Sequence, residues 1–484
     1  YAQTPSYSTY QVNKDLTNFT DWTASSLSKN FKDKHLKGME SQLMKQLAEK
    51  MLRGDYNSAY LLQSYKPIPS NKVLEQQLKL TNGYSRYENI TGVYLEAGEN
   101  VVLVGDLHGR TVGLLIPDWM RQPTLGYQPT KDPEGWGLKK QEILLHEGVN
   151  VINVKKAGNV YVDYFADDPD TAPAVTIHFV TGKVNGYFDA TVQSNEDWNR
   201  LLDNAVSPVM DVKGKYIQLA YPVEQLKKLA YGKGKELAEN YDKVMQVQYD
   251  FSGATKYNRI PKKRILARVN FNYFMFRDGD GVAFEGTDGT MKAAIGPEVT
   301  TNWGIHHEIG HVMQMRPWLT WGGMTEVSNN LFSVYGTMSL GDSSRLSKRH
   351  IYEAAFSKVL NAPEKQFIMC VKDPFQIQIY ADKIGYKDFY ADLMEHLRNQ
   401  PHKGAGNASI HNMYEYIKLC CDFLKTDLTD FFDAWGFFQT GKFHVGDYGN
   451  YDFEVTPKMI EETKHYIASK NYPKPSMDVT KLTD

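Results

Sequence analysis

The segment WGIHHEIGHVMQ, residues 303–314, contains the pattern His-Glu-x-x-His at residues 307–311. Residues four apart on a helix lie one turn apart on the same face, so His307 and His311 can bind one metal ion. The intervening Glu308 would project beside that ion, where a carboxylate can take a proton from bound water. The pattern therefore predicts a catalytic zinc site in which His307 and His311 bind the metal and Glu308 is the base.

The residues around this pattern predict a buried helix. Asn302 can cap its start, and Pro317 ends the segment just past Met315. Most of the other side chains in the segment are large and apolar: Trp303, Ile305, Ile309, Val312 and Met313. A surface helix that carried the polar residues by accident would place Lys or Glu at these positions instead. Because a buried His-Glu-His stripe needs a compensating partner, the apolar surroundings favour a metal site.

The third protein ligand decides the class of site, because a catalytic zinc ion usually binds three protein ligands and a water. The metzincin class needs Gly three residues and His six residues after its second His. Gln314 and Pro317 occupy those positions here, so that class is excluded. A glutamate from elsewhere in the chain is the other common solution.

Glu326, fifteen residues beyond His311, is the candidate for this glutamate. The proline and glycines of PWLTWGG, residues 317–323, can reverse the chain between the two. Residues 325–335 then form a second helix with Glu326 in its first turn. Asn330, one turn further on, is predicted to hold the Glu326 carboxylate in place. The alternative role for Glu326 is a first-turn glutamate that complements the helix dipole.

Four further residues lie close to this pattern. His306 would point about 100° away from His307 around the helix, so it is predicted to pack or to support a ligand. Trp303, Trp318 and Trp321 flank the site in sequence. Because indole faces suit stacking against sugars, these tryptophans are predicted substrate contacts, with packing in the core as the alternative.

The composition of the chain argues against some classes of binding partner. Lys and Arg total 55 against 57 Asp and Glu, so nothing predicts a nucleic-acid or anionic-membrane partner, which would need a basic surplus. No uninterrupted apolar run approaches the roughly 20 residues of a membrane-spanning helix. Cys370, Cys420 and Cys421 form no Cys-x-x-Cys pair. They are therefore predicted to be small buried apolar residues, and neither thiolate metal ligands nor a disulfide framework.

The 484 residues are too many for one core, and the chain is predicted to be a multidomain α+β protein. Residues 1–75 form a mixed segment with one amphipathic helix along the apolar stripe that begins at Leu36. Residues 76–190 carry β-branched runs between glycine turns, at 101–104, 149–154, 160–165 and 175–180, which favour an antiparallel sandwich or barrel. Residues 191–470 are predicted to be mainly helical and to hold the zinc site, and residues 471–484 form a tail.

The chain resembles the enhancin-like gluzincin peptidases, which are mucin-directed zinc peptidases. Their signature couples His-Glu-x-Gly-His, a nearby Gln, a Trp and a Glu-Val-x-Asn-Asn-type sequence on the next helix. This chain has HHEIGHVMQ at 306–314, then Trp318, then TEVSNNLFSVY at 325–335. Further likeness lies in TGVYLEAGENV (91–101), VTIHFVTGKVNGYFD (175–189), IGYKDFYADL (384–393) and DLTDFFDAWGFF (427–438). The resemblance thus extends from roughly residue 78 to residue 440.

This resemblance implies that an antiparallel β-sandwich module precedes a mainly helical, zincin-type metallopeptidase domain. It implies that Zn²⁺ is held by His307, His311 and Glu326, with Glu308 as the catalytic glutamate. It also implies export, to the bacterial periplasm, the cell surface or the medium, and glycoprotein substrates. We therefore predict a zinc endopeptidase that cleaves glycoproteins of the O-glycosylated, mucin type. Two alternatives stay open: a glycan-binding surface protein with a vestigial or structural zinc site, and a zinc amidase that acts on cell-wall peptide.

Overall fold

The computed structural model describes residues 5–80, 84–363 and 374–484. These residues form a mixed α/β fold with several sheets and many helices, divided into two compact units. The first unit takes its described residues from 1–73, 84–242 and 262–296, and the second from 74–83, 243–261 and 297–484. The domain boundaries predicted from the sequence stay a prediction.

Most of the strands lie before residue 286, and most of the later elements are helices. The strands are β1 Leu62–Tyr65, β2 Ile68–Pro69, β3 Ile90–Leu95, β4 Gly98–Val104, β5 Gly113–Pro117, β6 Lys140–Leu144, β7 Gly148–Val154, β8 Gly158–Asp163, β9 Phe165–Ala166, β10 Val175–Phe179, β11 Lys183–Val184, β12 Phe188–Asp189, β13 Val209–Lys213, β14 Ile217–Pro222, β15 Ile265–Asn270, β16 Met275–Asp278, β17 Gly281–Glu285, β18 Gly441–Gly446 and β19 Asn450–Val455. The helices are α1 Thr9–Asp15, α2 Gln42–Leu52, α3 Asn71–Leu78, α4 Asn195–Asp203, α5 Val223–Ala230, α6 Gly234–Phe251, α7 Asp288–Ile295, α8 Trp303–Val312, α9 Thr325–Ser339, α10 Arg345–Lys348, α11 Ile351–Ala355, α12 Pro374–Lys383, α13 Phe389–Arg398, α14 Ile410–Leu424, α15 Thr429–Ala434 and α16 Pro457–Ser469.

Two antiparallel sheets of the first unit share one apolar core. One sheet has the strand order β1-β10-β4-β7, and the other has the order β11-β3-β8-β5-β6. Buried side chains from both sheets meet in the core, among them Val102 of β4, Val162 of β8 and Phe179 of β10. The β-branched runs of the sequence lie in β4, β7, β8 and β10, so their prediction as strands is confirmed.

The other face of β4 is buried as well, because the N-terminal segment covers it. Val101 and Leu103 of β4 belong to an apolar cluster with residues of α2. A strand that is buried on both faces shows no alternation of polar and apolar residues, which accounts for the continuous apolar run of β4. The apolar stripe of the sequence begins at Leu36, but α2 begins only after Ser41, whose hydroxyl accepts a hydrogen bond from the Met44 amide at 3.3 Å.

A third sheet of the first unit has the strand order β12-β13-β14-β15-β17-β16. It is mixed, with parallel pairing of β14 with β15 and of β15 with β17. The structure thus differs from the prediction of mainly helical structure after residue 191, since most of this sheet lies within 209–285. Because β13 and β14 are buried along nearly all of their length, the period of two that marks a half-exposed strand is missing from their sequence.

The second unit is mainly helical and contains α8 to α16 together with the antiparallel hairpin of β18 and β19. Cys420 and Cys421 of α14 are fully buried, as predicted for small apolar residues, whereas Cys370 lies outside the described residues. In the part of the chain that the structure describes, no helix combines the length and the apolar character needed to span a membrane.

Candidate active site

Helix α8 presents the residues of the His-Glu-x-x-His pattern. Its predicted cap is confirmed, because the Asn302 side chain accepts a hydrogen bond from the Ile305 amide at 3.0 Å. One turn apart on this helix, His307 and His311 both reach Glu326 in the first turn of α9. The Glu326 Oε2 atom lies 3.0 Å from His307 Nε2 and 3.3 Å from His311 Nε2. The structure therefore brings the three predicted metal ligands together.

The donor set of this cluster fits a zinc ion. Two imidazole nitrogens and one carboxylate oxygen are the ligands of one common type of catalytic zinc site. With bonds of the usual length, two donors of a tetrahedral zinc site lie about 3.3 Å apart, close to the separations from Glu326 Oε2. One donor atom from each of the three residues lies within 4.8 Å of the others. The role of these residues as metal ligands stays a prediction.

Asn330 supports His307. Its Oδ1 atom lies 2.6 Å from His307 Nδ1, and its Nδ2 atom donates to the Glu326 backbone oxygen at 3.1 Å. The sequence predicts that Asn330 holds the Glu326 carboxylate, and the structure corrects this prediction. The asparagine lies one turn after Glu326, but its side-chain oxygen meets the imidazole that faces it from α8.

Gln314 supports His311 in the same way. Its Oε1 atom lies 3.1 Å from His311 Nδ1, while its Nε2 atom donates to the Thr325 backbone oxygen at 2.6 Å and to the Ser328 hydroxyl at 2.9 Å. The residue thus joins the second histidine to the first turn of α9. Motif spacing alone does not assign this role to Gln314, although a glutamine near this position belongs to the signature of the resembled peptidases.

The two amide oxygens determine which nitrogen of each imidazole ring carries the proton. Because an amide oxygen only accepts hydrogen bonds, we infer that each Nδ1 atom carries a proton and donates it to its amide oxygen. At His307 the shorter contact decides, since Asn330 Oδ1 lies 2.6 Å from Nδ1 and the Asn329 Nδ2 atom lies 3.0 Å from it. The Asn329 Nδ2 atom also lies 3.2 Å from His311 Nε2. The lone pair of a neutral ring then lies on Nε2, the atom that faces Glu326 in both histidines. Ligating histidines in metal sites are held by such hydrogen bonds from the opposite ring nitrogen.

The two carboxyl groups of the site have pKa values that are shifted in opposite directions. Glu308 is only 7% exposed, and this burial raises its pKa, although the nearby His307 and His311 act against the shift. Burial also acts to raise the pKa of Glu326, but hydrogen bonds with the two histidines lower it well below its usual range. The opposite shifts favour different roles: Glu308 as the carboxyl group that exchanges a proton, and Glu326 as the one that stays charged.

A hairpin far along the sequence also reaches the site. The Tyr448 hydroxyl, in the turn between β18 and β19, donates to Glu326 Oε1 at 2.8 Å. The preceding residue, Asp447, accepts hydrogen bonds from the Thr325 amide and hydroxyl at 3.1 and 2.7 Å. Because these residues lie about 120 positions beyond the first turn of α9, no spacing rule connects them with the pattern.

His306 and the three tryptophans lie in different surroundings. His306 is fully buried, its Nε2 atom lies 2.8 Å from the Thr300 backbone oxygen, and burial lowers its pKa to about 4, which fits the predicted packing role. Trp303 and Trp321 are only 8% and 2% exposed, so the predicted stacking of sugars on their faces does not fit their burial. Trp318 is half-buried, and its indole N–H donates to the Gln400 backbone oxygen at 2.9 Å. A substrate contact through Trp318 stays a prediction.

A family model described as peptidase M60, enhancin and enhancin-like, matches residues 183–436, just over half of the chain. The chain belongs to this peptidase family. The match includes α8, α9 and every residue of the predicted metal site. It ends before the hairpin that carries Tyr448. No curated protein matches the chain.

Solved structures share the fold of this M60 chain. A metallopeptidase from Bacteroides thetaiotaomicron is 22% identical with a TM-score of 0.78, over 99% of this chain and 82% of that one. A metallopeptidase in complex with Tn antigen is 23% identical with a TM-score of 0.70, over 88% and 80%. The M60 catalytic domain of Clostridium perfringens ZmpC, in complex with the sialyl T antigen, is 17% identical with a TM-score of 0.63, over 87% and 82%.

Proposed function

We propose that this M60 peptidase is a zinc-dependent endopeptidase of the gluzincin type that cleaves O-glycosylated, mucin-type glycoproteins. The observation that carries the proposal is the meeting of His307, His311 and Glu326 beside the buried Glu308. The three side chains supply the donor set of a catalytic zinc ion, while Glu308 is left to act on a proton. Glu308 Oε1 lies 3.9 Å from His307 Nε2, so the carboxyl group is next to the metal ligands without being one of them.

The chain's own residues have separate roles in the proposed reaction. When bound by His307, His311 and Glu326, Zn²⁺ supplies Lewis-acid activation of water and of the scissile carbonyl group. Glu308 takes a proton from the attacking water and then gives it to the leaving nitrogen. Burial raises the pKa of Glu308, which helps a carboxyl group to hold a proton for this second step. Asn330 and Gln314 hold the two imidazoles so that their Nε2 atoms keep their orientation.

The substrate class is supported by two of the similar structures. One is a complex with Tn antigen, and the other is a complex with the sialyl T antigen. Both antigens are O-linked glycans, so a peptidase of this fold can meet sugars on its substrate. We also infer that the chain is exported to the bacterial periplasm, the cell surface or the medium. For the first unit, we infer that the two antiparallel sheets that share a core form a β-sandwich.

The intact base argues against the first alternative, a glycan-binding protein with a vestigial or structural zinc site. A structural site needs metal ligands but has no need of Glu308, and structural zinc sites are usually closed by four protein ligands. The second alternative, an amidase that acts on cell-wall peptide, uses the same chemistry on another amide bond. A comparison of substrates separates the two activities.

The experiment measures cleavage of three substrates by the zinc-loaded chain: an O-glycosylated glycoprotein, its deglycosylated form and a cell-wall peptide. We expect the glycosylated form to be cleaved faster and a chelator to stop the reaction. The variant Glu308→Gln should keep its zinc and its fold but lose about 100-fold or more in turnover, because it removes only the proton shuttle. The matched control is Glu298→Gln, an exposed glutamate of the same unit, which should keep full activity.

Each other outcome of this experiment contradicts a separate part of the proposal. Equal cleavage of the two forms would remove the glycan from the proposal and leave a general peptidase. Cleavage of cell-wall peptide with neither glycoprotein form touched would favour the amidase. Near-normal turnover by Glu308→Gln would contradict the assigned base.

A further inference from the structure

The two oxygens of the Glu326 carboxylate have different partners. Oε2 faces the metal-binding nitrogens, 3.0 Å from His307 Nε2 and 3.3 Å from His311 Nε2. Oε1 accepts a hydrogen bond from the Tyr448 hydroxyl at 2.8 Å. A carboxylate can bind a metal through one oxygen or through both, and a hydrogen bond to one oxygen favours binding through the other. The observed contacts therefore keep Oε2 directed at the two histidines.

The turn that carries Tyr448 is itself fixed to α9. Asp447 Oδ2 accepts hydrogen bonds from the Gly323 amide at 2.9 Å, the Thr325 amide at 3.1 Å and the Thr325 hydroxyl at 2.7 Å. Helix α9 has no side-chain cap of its own at Met324, so this carboxylate takes the place of a cap at the helix start. Thr325, which donates two hydrogen bonds to Asp447, is thus the residue directly before Glu326.

Tyr448 adopts a backbone conformation that is uncommon for a residue with a side chain. Its φ is +54°, in the left-handed region, and its side chain is highly exposed, at 87%. An exposed aromatic ring gains little from packing, so burial does not explain this conformation. Residues held in such conformations often lie at functional sites, where the surrounding contacts fix them. Here the fixing contacts are those of Asp447 and of the Tyr448 hydroxyl.

We propose that Tyr448 is a positioning residue that holds Glu326 as a metal ligand through one oxygen, and that Asp447 acts by placing Tyr448. The β18–β19 hairpin thereby completes the metal site with residues that lie beyond the segment matched by the family model. This inference rests on the proposed function, because it requires a metal ion bound by Glu326 and the two histidines.

The test is the zinc affinity of the full chain, measured by competition with a chelating dye. Tyr448→Phe keeps the ring and removes the hydroxyl, and it should weaken zinc binding about 10-fold, the smaller effect expected for loss of a hydrogen bond to a ligand. The free energy of unfolding of the metal-free chain should change little, since the ring is exposed and the variant removes one hydrogen bond at the surface. The matched control is Tyr451→Phe on β19, whose hydroxyl contacts Arg316 and should not affect zinc affinity.

A double-mutant cycle tests whether Asp447 acts through Tyr448. Asp447→Ala should also weaken zinc binding, and adding Tyr448→Phe to it should cause little further loss, because the tyrosine is already displaced. Fully additive losses would contradict this link, and an unchanged zinc affinity of Tyr448→Phe would overturn the inference while leaving the zinc site intact. If the wild-type chain itself bound no zinc, the proposed function would fail together with this inference.

Discussion

Gly310 and Asn329 bring the two helices of the site into contact at the backbone. A Cβ atom built on Gly310 would lie 2.6 Å from the Asn329 backbone oxygen, closer than real side chains approach such an atom. Gly310 directly precedes His311 on α8, and Asn329 lies about one turn after Glu326 on α9. Because residue 310 has no side chain, the metal-binding face of α8 can lie close to α9.

The first prediction concerns this contact. Gly310→Ala should lower the free energy of unfolding by about 1–3 kcal/mol, because added volume in a packed contact forces the backbone to shift. The control is Gly289→Ala in α7, where a Cβ atom meets nothing within 4 Å. That variant should be neutral or gain about 0.4–1 kcal/mol, since alanine restricts the unfolded chain. Denaturant unfolding measures both, and equal stability of the two variants would argue against a close helix contact.

The second prediction concerns metal content. The purified chain should carry about one zinc ion, and His307→Ala and His311→Ala should each lose it, because two protein ligands hold zinc poorly in a catalytic site. His146→Ala, an exposed histidine of the first unit, is the control and should keep the metal. Elemental analysis gives the zinc content of each chain. Stoichiometric zinc in a variant that lacks both His307 and His311 would show that the ion is held elsewhere.

The third prediction concerns Gln314. Gln314→Met keeps a similar length but removes the acceptor for His311 Nδ1, and zinc affinity should fall by about 10- to 100-fold. Gln314→Glu restores an oxygen acceptor and should recover much of this loss. Competition with a chelating dye compares the variants. Equal losses in both variants would show that the bonds to Thr325 and Ser328, which need the amide N–H, matter more than the bond to His311.

The sequence could place three site residues because they share one helix. His307, Glu308 and His311 need only the helical repeat to lie on one face, and the apolar neighbours supply the burial. Glu326 needed one further step, a reversal between two helices. The partner of Asn330 could not be deduced, because it depends on which side of α9 faces α8. Tyr448 is beyond any local rule, since only the folded chain brings the hairpin to α9.

The same reasoning explains which strands could be predicted from the sequence and which could not. The runs in β4 and β10 are rich in β-branched residues and bounded by glycine turns, so these two signals were enough to predict them as strands. Strands β13 and β14 are buried on both sides, and a fully buried strand cannot be told from a buried helix by its period. Strands β13 and β14 of the third sheet were therefore not predicted from the sequence.

The fourth prediction separates packing from substrate contact among the tryptophans. Trp321 packs against Tyr416 and is 2% exposed, so Trp321→Ala should lower the free energy of unfolding by about 3–5 kcal/mol. Trp318→Ala removes a half-buried ring and should cost less stability. A selective loss of activity on glycosylated substrate would then identify Trp318 as the substrate contact. If activity on both substrates is unchanged in Trp318→Ala, the predicted stacking is wrong.

The last prediction concerns a buried carboxyl group of the first unit, Asp211 of β13. Its side chain is 1% exposed, and the Tyr161 hydroxyl donates to it at 2.5 Å. Burial raises the pKa of Asp211 to about 7, although the bond from Tyr161 acts against the shift. In the unfolded chain, an aspartate has a pKa of about 3.9. Between these two values the folded chain holds a proton that the unfolded chain releases.

The sign of the effect follows from this difference. Because the folded state binds more protons, stability is lost as pH rises through the window from about 4 to about 7, and no more is lost above it. Asp211→Asn cannot release a proton, so its advantage in unfolding free energy over the wild type should grow across this window, by a few kcal/mol at most on an order-of-magnitude basis. Asp55→Asn, which changes an exposed aspartate of the same unit, is the control for loss of a carboxylate at the surface. Denaturant unfolding of the three chains at a series of pH values measures these differences. A difference between Asp211→Asn and the wild type that stays constant from pH 4 to pH 7 would show that Asp211 is ionised in the folded chain.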